Sequence, residues 1–584
     1  MTLTLAPAII SLFCLLAWVP PQTEMPVEVA LEQPPQAEEV VRFDGDVVIR
    51  ATIRNAQDLM LLNQLSDDPW SHSPGIGGAS DWRLTRDRLP VLRTAGVPFT
   101  VIISDVQALV QGERDRLTQR AAAVDWFADF KNLADVNAKL DAVVAAHPAT
   151  CSIVTAGTSI QGRTIRGIRI SRHPTSTPVP AFVFTATQHA REWAATMTAM
   201  WFIERLSADD GTDARITAIV DASEVFVFPV VNPDGYEYSW VTNRMWRKNR
   251  RLNSGGAYGV DLNRNWGTGW GGSGSSGTQS SETYRGTAAF SEPESAGFRD
   301  FMLPRTNMAG HIDIHSYSQM FLWPTSYVAT LPPDQASFSK VGTAVQTAIK
   351  SQYNKTYTIG SSYTTYGPTA GCIEDWTYTV VGTLGFCVEV RDTGTYGFIM
   401  PASEIAPNVI ENFAGAKVMM EELLKASTIS LVSGPGSSID ADRASPVKVT
   451  VTPNVGTLIA TNPVRLKWQV NGGSVQSAAM TVSGSQRVSQ VPAIACDQSV
   501  TWWVEAETNF AITRWPQNVP GSVRTSVASA CGVEGDLDGD GVVSGADIAL
   551  LLLDFGSCPG CAADLDASGT VDAGDVALLL LMFG

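Results

Sequence analysis

The order of apolar and polar positions changes character several times along the chain. Near its start lies one apolar run of fifteen residues, Leu5 to Val19, closed by Pro20 and Pro21. That length suits a signal-peptide core and falls short of the roughly 20 residues that a spanning helix needs. Residues 1–20 are therefore expected to be a signal peptide, although no Lys or Arg precedes the run. Residues 21–40, rich in Pro and Glu, are expected to be an exposed tether. From Val41 to Arg120, alternating runs (VVIRATI, FTVIIS) enclose helical patterns such as Asn55 to Leu65, the mark of a small unit of helix and strand. An amphipathic helix follows Ala121 and ends at Pro148. Beyond it, the runs IRGIRIS, AFVFTAT, VFVFPVV, GHIDIHS and GFCVEVR alternate with helices as far as Lys425. Residues 121–428 thus predict an α/β domain with its sheet between helices. The Gly/Ser/Asp/Pro-rich stretch 429–445 reads as a linker, and the short alternation of 446–531 as a β-sandwich of immunoglobulin-like type. In 532–584, DLDGDGVVSGADIALLLLDFG recurs 28 residues later as DLDASGTVDAGDVALLLLMFG.

Composition sharpens this outline. At 584 residues the chain exceeds what one hydrophobic core can organise. Its 41 Lys+Arg against 58 Asp+Glu give a net charge of −17, which excludes nucleic-acid binding through a basic surface. After Cys531 there are nine Asp and one Glu with no Lys or Arg, so more than half of that charge sits in the tail. No second apolar stretch is long enough to span a bilayer, and the expected location is secreted or attached to the cell surface. Export would let some cysteines pair, with Cys496–Cys531 and Cys372–Cys387 as candidates. Cys558 and Cys561 (CPGC) read as a disulfide or two thiols closing a turn, ahead of half a zinc site or a redox motif.

Each tail repeat follows a calcium-loop grammar. Asp536, Asp538, Asp540 and Asp547 stand at positions 1, 3, 5 and 12 with Gly541 at the turn, and Asp564, Asp566, Ser568 and Asp575 repeat the scheme with Gly569. Two structural Ca²⁺ ions are expected. Such paired loop-plus-helix copies resemble a dockerin module, which implies a cohesin-like protein as partner.

Only six histidines are present, so each is a testable metal ligand. In FVFTATQHAREWAATM, His189 falls where an apolar strand ends and a helix begins, and Glu192 follows one helical step later, so both can converge on one ion. A catalytic zinc keeps three protein ligands and one open position. HIDIHS offers His311 and His315 on one face of a strand, with His315 at the C-terminal end, where side chains reach a cleft.

Together HAREW, NRMWRKNR, VDLNRNW, SETYRG, HSYSQMFLWP and FCVEVRDTGTYGF resemble, in order and spacing, the zinc carboxypeptidases of the pancreatic A/B type, from about Ala122 to Lys425. The resemblance implies a multidomain chain: an α/β core with a mixed sheet between helices (121–428), a small α+β activation propeptide (41–120), the β-sandwich, and a dockerin-like α module. It implies one catalytic Zn²⁺ on His189, Glu192 and His315, with Asp261 holding the first histidine's other nitrogen. Glu389 matches the carboxylate that takes the proton of the attacking water and returns one to the leaving amine, and Arg247 the guanidinium that stabilises the oxyanion. Asn263 and Arg264 match the pair that grips a terminal carboxylate, while Arg191, Tyr317 and Phe398 match outer contacts. The substrate implied is the C-terminus of a peptide or protein, and the enzyme a zymogen cleaved between Glu113 and Arg120.

Two positions depart from the pattern or refine it. Where the family has a capping tyrosine (TTIYP), the text here is TTYGPTAG, so either a one-residue loop shift lets Tyr366 serve or the capping hydroxyl is missing. Glu374 falls where the basic-specific branch carries an acid at the pocket floor, with Ser326 as a small polar neighbour, which predicts preference for C-terminal Lys or Arg. A related zinc amidase on cell-wall peptides or acylated amino acids, and an inactive peptide-binding homologue, are the alternatives. Asn263, Arg264 and Glu374 speak against the first, and the retained ligands with Glu389 against the second.

Overall fold

Strand β1 (Asp46–Thr52) has Val47, Ile49 and Ala51 on one face, packed on Leu62 and Leu92, while Val48 points the other way, so both faces are covered. It lies in an antiparallel sheet with β2 (Asp68–Pro69), β3 (Ala79–Thr85) and β4 (Phe99–Ile103), in the order β2-β3-β1-β4. Helices Ala56–Leu65, Leu89–Thr94 and Val106–Gln119 complete this N-terminal unit. The computed structural model describes residues 39–583 except 67, 72–73, 120–124, 177–178, 306, 426, 442, 454–457, 459–460, 496–497, 508–511, 516–523, 531–534, 539–541 and 559–560. The expected signal peptide, nearly all of the tether, Cys496, Cys531, Asp540 and Gly541 thus lie outside the described residues.

The central domain is an eight-stranded mixed sheet of β5 (Cys151–Thr158), β6 (Thr164–Ile170), β7 (Ala181–Ala186), β8 (Glu224–Phe228), β9 (Met308–Ser316), β10 (Met320–Trp323), β11 (Thr358–Ser361) and β12 (Leu384–Val390), in the order β11-β10-β12-β9-β7-β8-β6-β5. Strands β12, β9, β7 and β8 run parallel. All six residues of β7 are buried, because helices cover both faces and no side of the strand meets water. Trp193–Ala208 and Ile405–Leu424 pack on one face, Pro293–Met302 on the other. The C-terminal ends of β7, β9 and β12 therefore open on one edge, and the register pairs Glu389 of β12 with His315 of β9.

The C-terminal region is a two-sheet β-sandwich around Val447, Val449, Leu466, Val500, Trp502 and Val504. It begins earlier than the sequence suggests. The stretch 429–445, expected to be a linker, carries most of strand Ser427–Ser433, which pairs with Ser445–Pro453, and Ser438–Asp440, which pairs with Arg524–Ala530. Gly434, Pro435, Gly436 and Ser437 occupy the turn between these two strands. Last come helices Gly545–Leu553 and Ala573–Leu581, each opened by a capping box, Ser544 with Asp547 and Asp572 with Asp575. Cys558 and Cys561 are disulfide-bonded, whereas Cys372 and Cys387 are separate buried thiols; the candidate bridge between them is absent.

Candidate active site

His189 leaves the end of β7, Glu192 caps the following helix, and His315 closes β9. His189 Nδ1 lies 2.9 Å from Glu192 Oε1, His315 Nδ1 lies 2.9 Å from Glu192 Oε2, and the two Nδ1 atoms are 3.1 Å apart. The remaining ring nitrogens are both committed to carboxylates: His189 Nε2 to Asp261 at 3.0 Å and His315 Nε2 to Asp313. An imidazole that donates Nε2–H outward presents a lone pair at Nδ1, so two lone pairs and a carboxylate converge on one buried point. Such a donor set needs a cation at its centre, and two nitrogens with one oxygen suit Zn²⁺. Burial lowers the His189 pKa, helped by Arg247. Burial works against charge on His315 too, but Asp313 and Glu192 hold its pKa well above the usual histidine range. His311 faces Thr185 and Thr377 instead and does not join the cluster.

Asp261 also binds Arg247, whose Nη2 donates at 2.9 Å and whose Nη1 lies 4.0 Å from Glu192. Glu389 is buried, and burial with the nearby Glu192 carboxylate raises its pKa well above the ordinary glutamate value. A carboxyl poised in this way can hold a proton and pass it on.

A cavity beside Glu389 is lined by Asn263, Arg264, Tyr366, Cys372, Glu374 and Cys387, among others. Asn263 lies 3.3 Å from His315 Nε2 and accepts the Ile373 N–H, and Arg264 donates to the Gly274 and Asn263 carbonyls. Tyr366 thus stands at the cavity, one residue before Gly367, whose φ of 113° turns the chain away. Ser326 donates its hydroxyl to Asp375 and approaches Glu374 Oε1 at 3.3 Å, while Glu374 Oε2 has no hydrogen-bond partner among the described residues. Burial pushes the Glu374 pKa up to about 7, and burial beside Glu374 raises that of Asp375 as well. Sequence reasoning missed Asp375, although it adjoins Glu374.

At the rim, every predicted outer contact touches the N-terminal unit. Arg191, fully buried, donates to Asp68 at 2.6 Å and approaches the Pro69 carbonyl. Tyr317 donates to Asp81 at 2.8 Å, and Trp70 packs edge-on against Tyr317 and Phe398. Glu113 forms a buried pair with Arg244 at 2.5 Å. No local motif marks Asp68, Trp70 or Glu113, because their partners lie more than a hundred residues away.

In the tail, Asp536, Asp538 and Asp547 gather ligand oxygens within 4.8 Å of one another, as do Asp564, Asp566 and Asp575. Ser568 N donates to Asp564 and Asp566, and its hydroxyl turns to the Thr570 carbonyl.

Two imidazoles and a carboxylate at strand ends, with a buried acid and a guanidinium beside them, define a zinc peptidase centre. Residues 136–415 match the sequence profile described as zinc carboxypeptidase. Carboxypeptidase A1 of Bos taurus is 34% identical over 398 residues, 65% of this chain and 94% of the bovine protein. Carboxypeptidase A2 of Rattus norvegicus is 35% identical over 401 residues, again 65% and 94%. The crystal structure of carboxypeptidase A from Helicoverpa armigera matches with a TM-score of 0.60 and 26% identity, over 65% of this chain and 97% of that one. The chain belongs to the zinc carboxypeptidase family and is a metallocarboxypeptidase, a hydrolase of peptide bonds.

Proposed function

We propose that this is a secreted zymogen of a zinc exopeptidase that removes C-terminal residues from peptides and proteins, with preference for Lys and Arg. The observation that carries the preference is the Glu374 carboxyl in the cavity beside Arg264 and Glu389, with one oxygen lacking a partner among the described residues. An incoming ammonium or guanidinium supplies that partner, and an apolar side chain leaves it unmet. His189, Glu192 and His315 would hold Zn²⁺, which supplies a Lewis acid that polarises the scissile carbonyl and acidifies water. Asn263 and Arg264 bind the terminal carboxylate, Arg247 stands ready for the developing oxyanion, and Tyr366 closes the cavity from its loop. Glu389 takes the water's proton and returns one to the leaving amine.

A second reading, preference for an apolar C-terminal residue, is favoured by the raised pKa of Glu374, since a protonated carboxyl is neutral. Comparing kcat/KM on matched peptides ending in Arg, Leu and Phe decides between them. Arg is expected to lead by about ten-fold or more, a gap of about 1.4 kcal/mol; equal values would end the basic assignment.

The zymogen reading is supported by the N-terminal unit's contacts with Arg191, Tyr317 and Phe398, three residues assigned to substrate. Alignment over 398 residues, more than 121–428 holds, agrees with it. The tail clusters support two Ca²⁺ ions in a dockerin-like module, whose partner would be cohesin-like.

A further inference from the structure

We propose that Asp313 is the positioning residue that fixes the His315 ring for the metal, as Asp261 does for His189, and that Thr185 and Gln188 fix Asp313 in turn. This inference rests on the zinc assignment above. Asp313 lies two residues before His315 on β9, so both side chains project from the same face, and it is fully buried. Its Oδ2 faces His315 Nε2 and accepts from Gln188 Nε2 at 2.5 Å; its Oδ1 accepts the Thr185 hydroxyl at 2.6 Å.

The polarity of this group is determined. A carboxylate only accepts, so the single Thr185 proton points to Asp313, and the Thr185 oxygen must accept from His311 Nε2 at 3.0 Å. Gln188 cannot flip its amide without loss, because its carbonyl oxygen takes the Trp266 indole N–H at 3.1 Å. With both oxygens occupied by fixed donors, Asp313 accepts Nε2–H from His315 in one orientation and leaves Nδ1 as the lone pair aimed at Glu192 and His189.

The two carboxylates differ in how their charge is balanced. Asp261 shares its charge with Arg247 at 2.9 Å. Among the described residues no Lys or Arg pairs with Asp313, and the ionisable group it contacts is the His315 ring. The negative charge of Asp313 is therefore balanced through the imidazole, which makes that ring a more basic ligand.

The test uses the full-length chain and measures the zinc dissociation constant by chelator competition, the visible spectrum of the Co²⁺-substituted protein, and the Tm of the metal-free form. Asp313→Asn is expected to raise the zinc Kd by about 10–100-fold, to shift the cobalt bands, and to leave the metal-free Tm unchanged or higher. Thr185→Val, which removes one donor and keeps the carboxylate, is expected to weaken zinc by a smaller factor. A zinc Kd for Asp313→Asn within about two-fold of wild type, or equal Tm losses with and without metal, would overturn the inference. His315→Ala separates the two claims, for if that variant keeps wild-type zinc affinity, it is the ligand assignment that fails.

Discussion

Glu389 and Glu374 are both buried glutamates near one cavity, yet their surroundings suit them to different work. Glu389 is paired in register with His315 and lies in the field of Glu192, His315 and Arg247. Glu389→Gln is expected to lower kcat by about 10²–10⁴-fold while zinc content, read by metal analysis, stays at one per chain. Glu374 shares Ser326 with Asp375, and its pKa of about 7 would give the proposed basic preference a pH dependence. As pH falls through that value the carboxyl gains a proton, becomes neutral and no longer attracts a cation. The Arg-to-Leu ratio of kcat/KM should therefore shrink between about pH 8 and about pH 6, and Glu374→Gln should flatten it at all pH values. These residues were legible because strand ends, short spacings and the family pattern mark them. Asp313 was within reach as well: HIDIH puts three polar side chains on one face of a strand otherwise buried in apolar surroundings.

Strand β2, only two residues long, carries a main contact between the N-terminal unit and the rim of the central domain. Asp68 within it is held by Arg83 at 2.7 Å and meets Arg191, so one carboxylate joins the two units. Burial raises the Asp68 pKa, but Arg191 and Arg83 more than offset it and hold it at about 2. Truncating one partner of such a buried pair costs about 3–5 kcal/mol, so Asp68→Ala is expected to loosen the N-terminal unit. The intact variant should hydrolyse peptides that the intact wild-type chain does not, as an assay without added protease would show. Element boundaries were legible where an apolar run was continuous, as in β7, and failed at 429–445. There Gly434, Pro435 and Gly436 with five Ser give a loop-like composition, while the strand pattern of TISLVS is only six residues long. Contacts such as Asp68–Arg191 leave no trace in a local pattern, since neither residue's own segment requires the other.

On the scale of the whole molecule, charge and chemistry are segregated. The tail's acids cluster in two loops that each aim three carboxylates at one point, with Asp547 and Asp575 tied to backbone N–H groups of their loops. Removing Ca²⁺ with a chelator selective over zinc is expected to abolish a tail unfolding transition in calorimetry and leave kcat/KM unchanged. The N-terminal unit, by contrast, lies against residues assigned to substrate, and the manner of its contact has a practical consequence. It grips Arg191, Tyr317 and Phe398 at the rim, whereas the cavity lined by Arg264, Glu374 and Glu389 lies further in. The intact chain should then behave as a sieve graded by substrate length: an acylated single amino acid needs only the inner chamber, while a longer peptide must lay its backbone where Trp70 and Asp68 already lie.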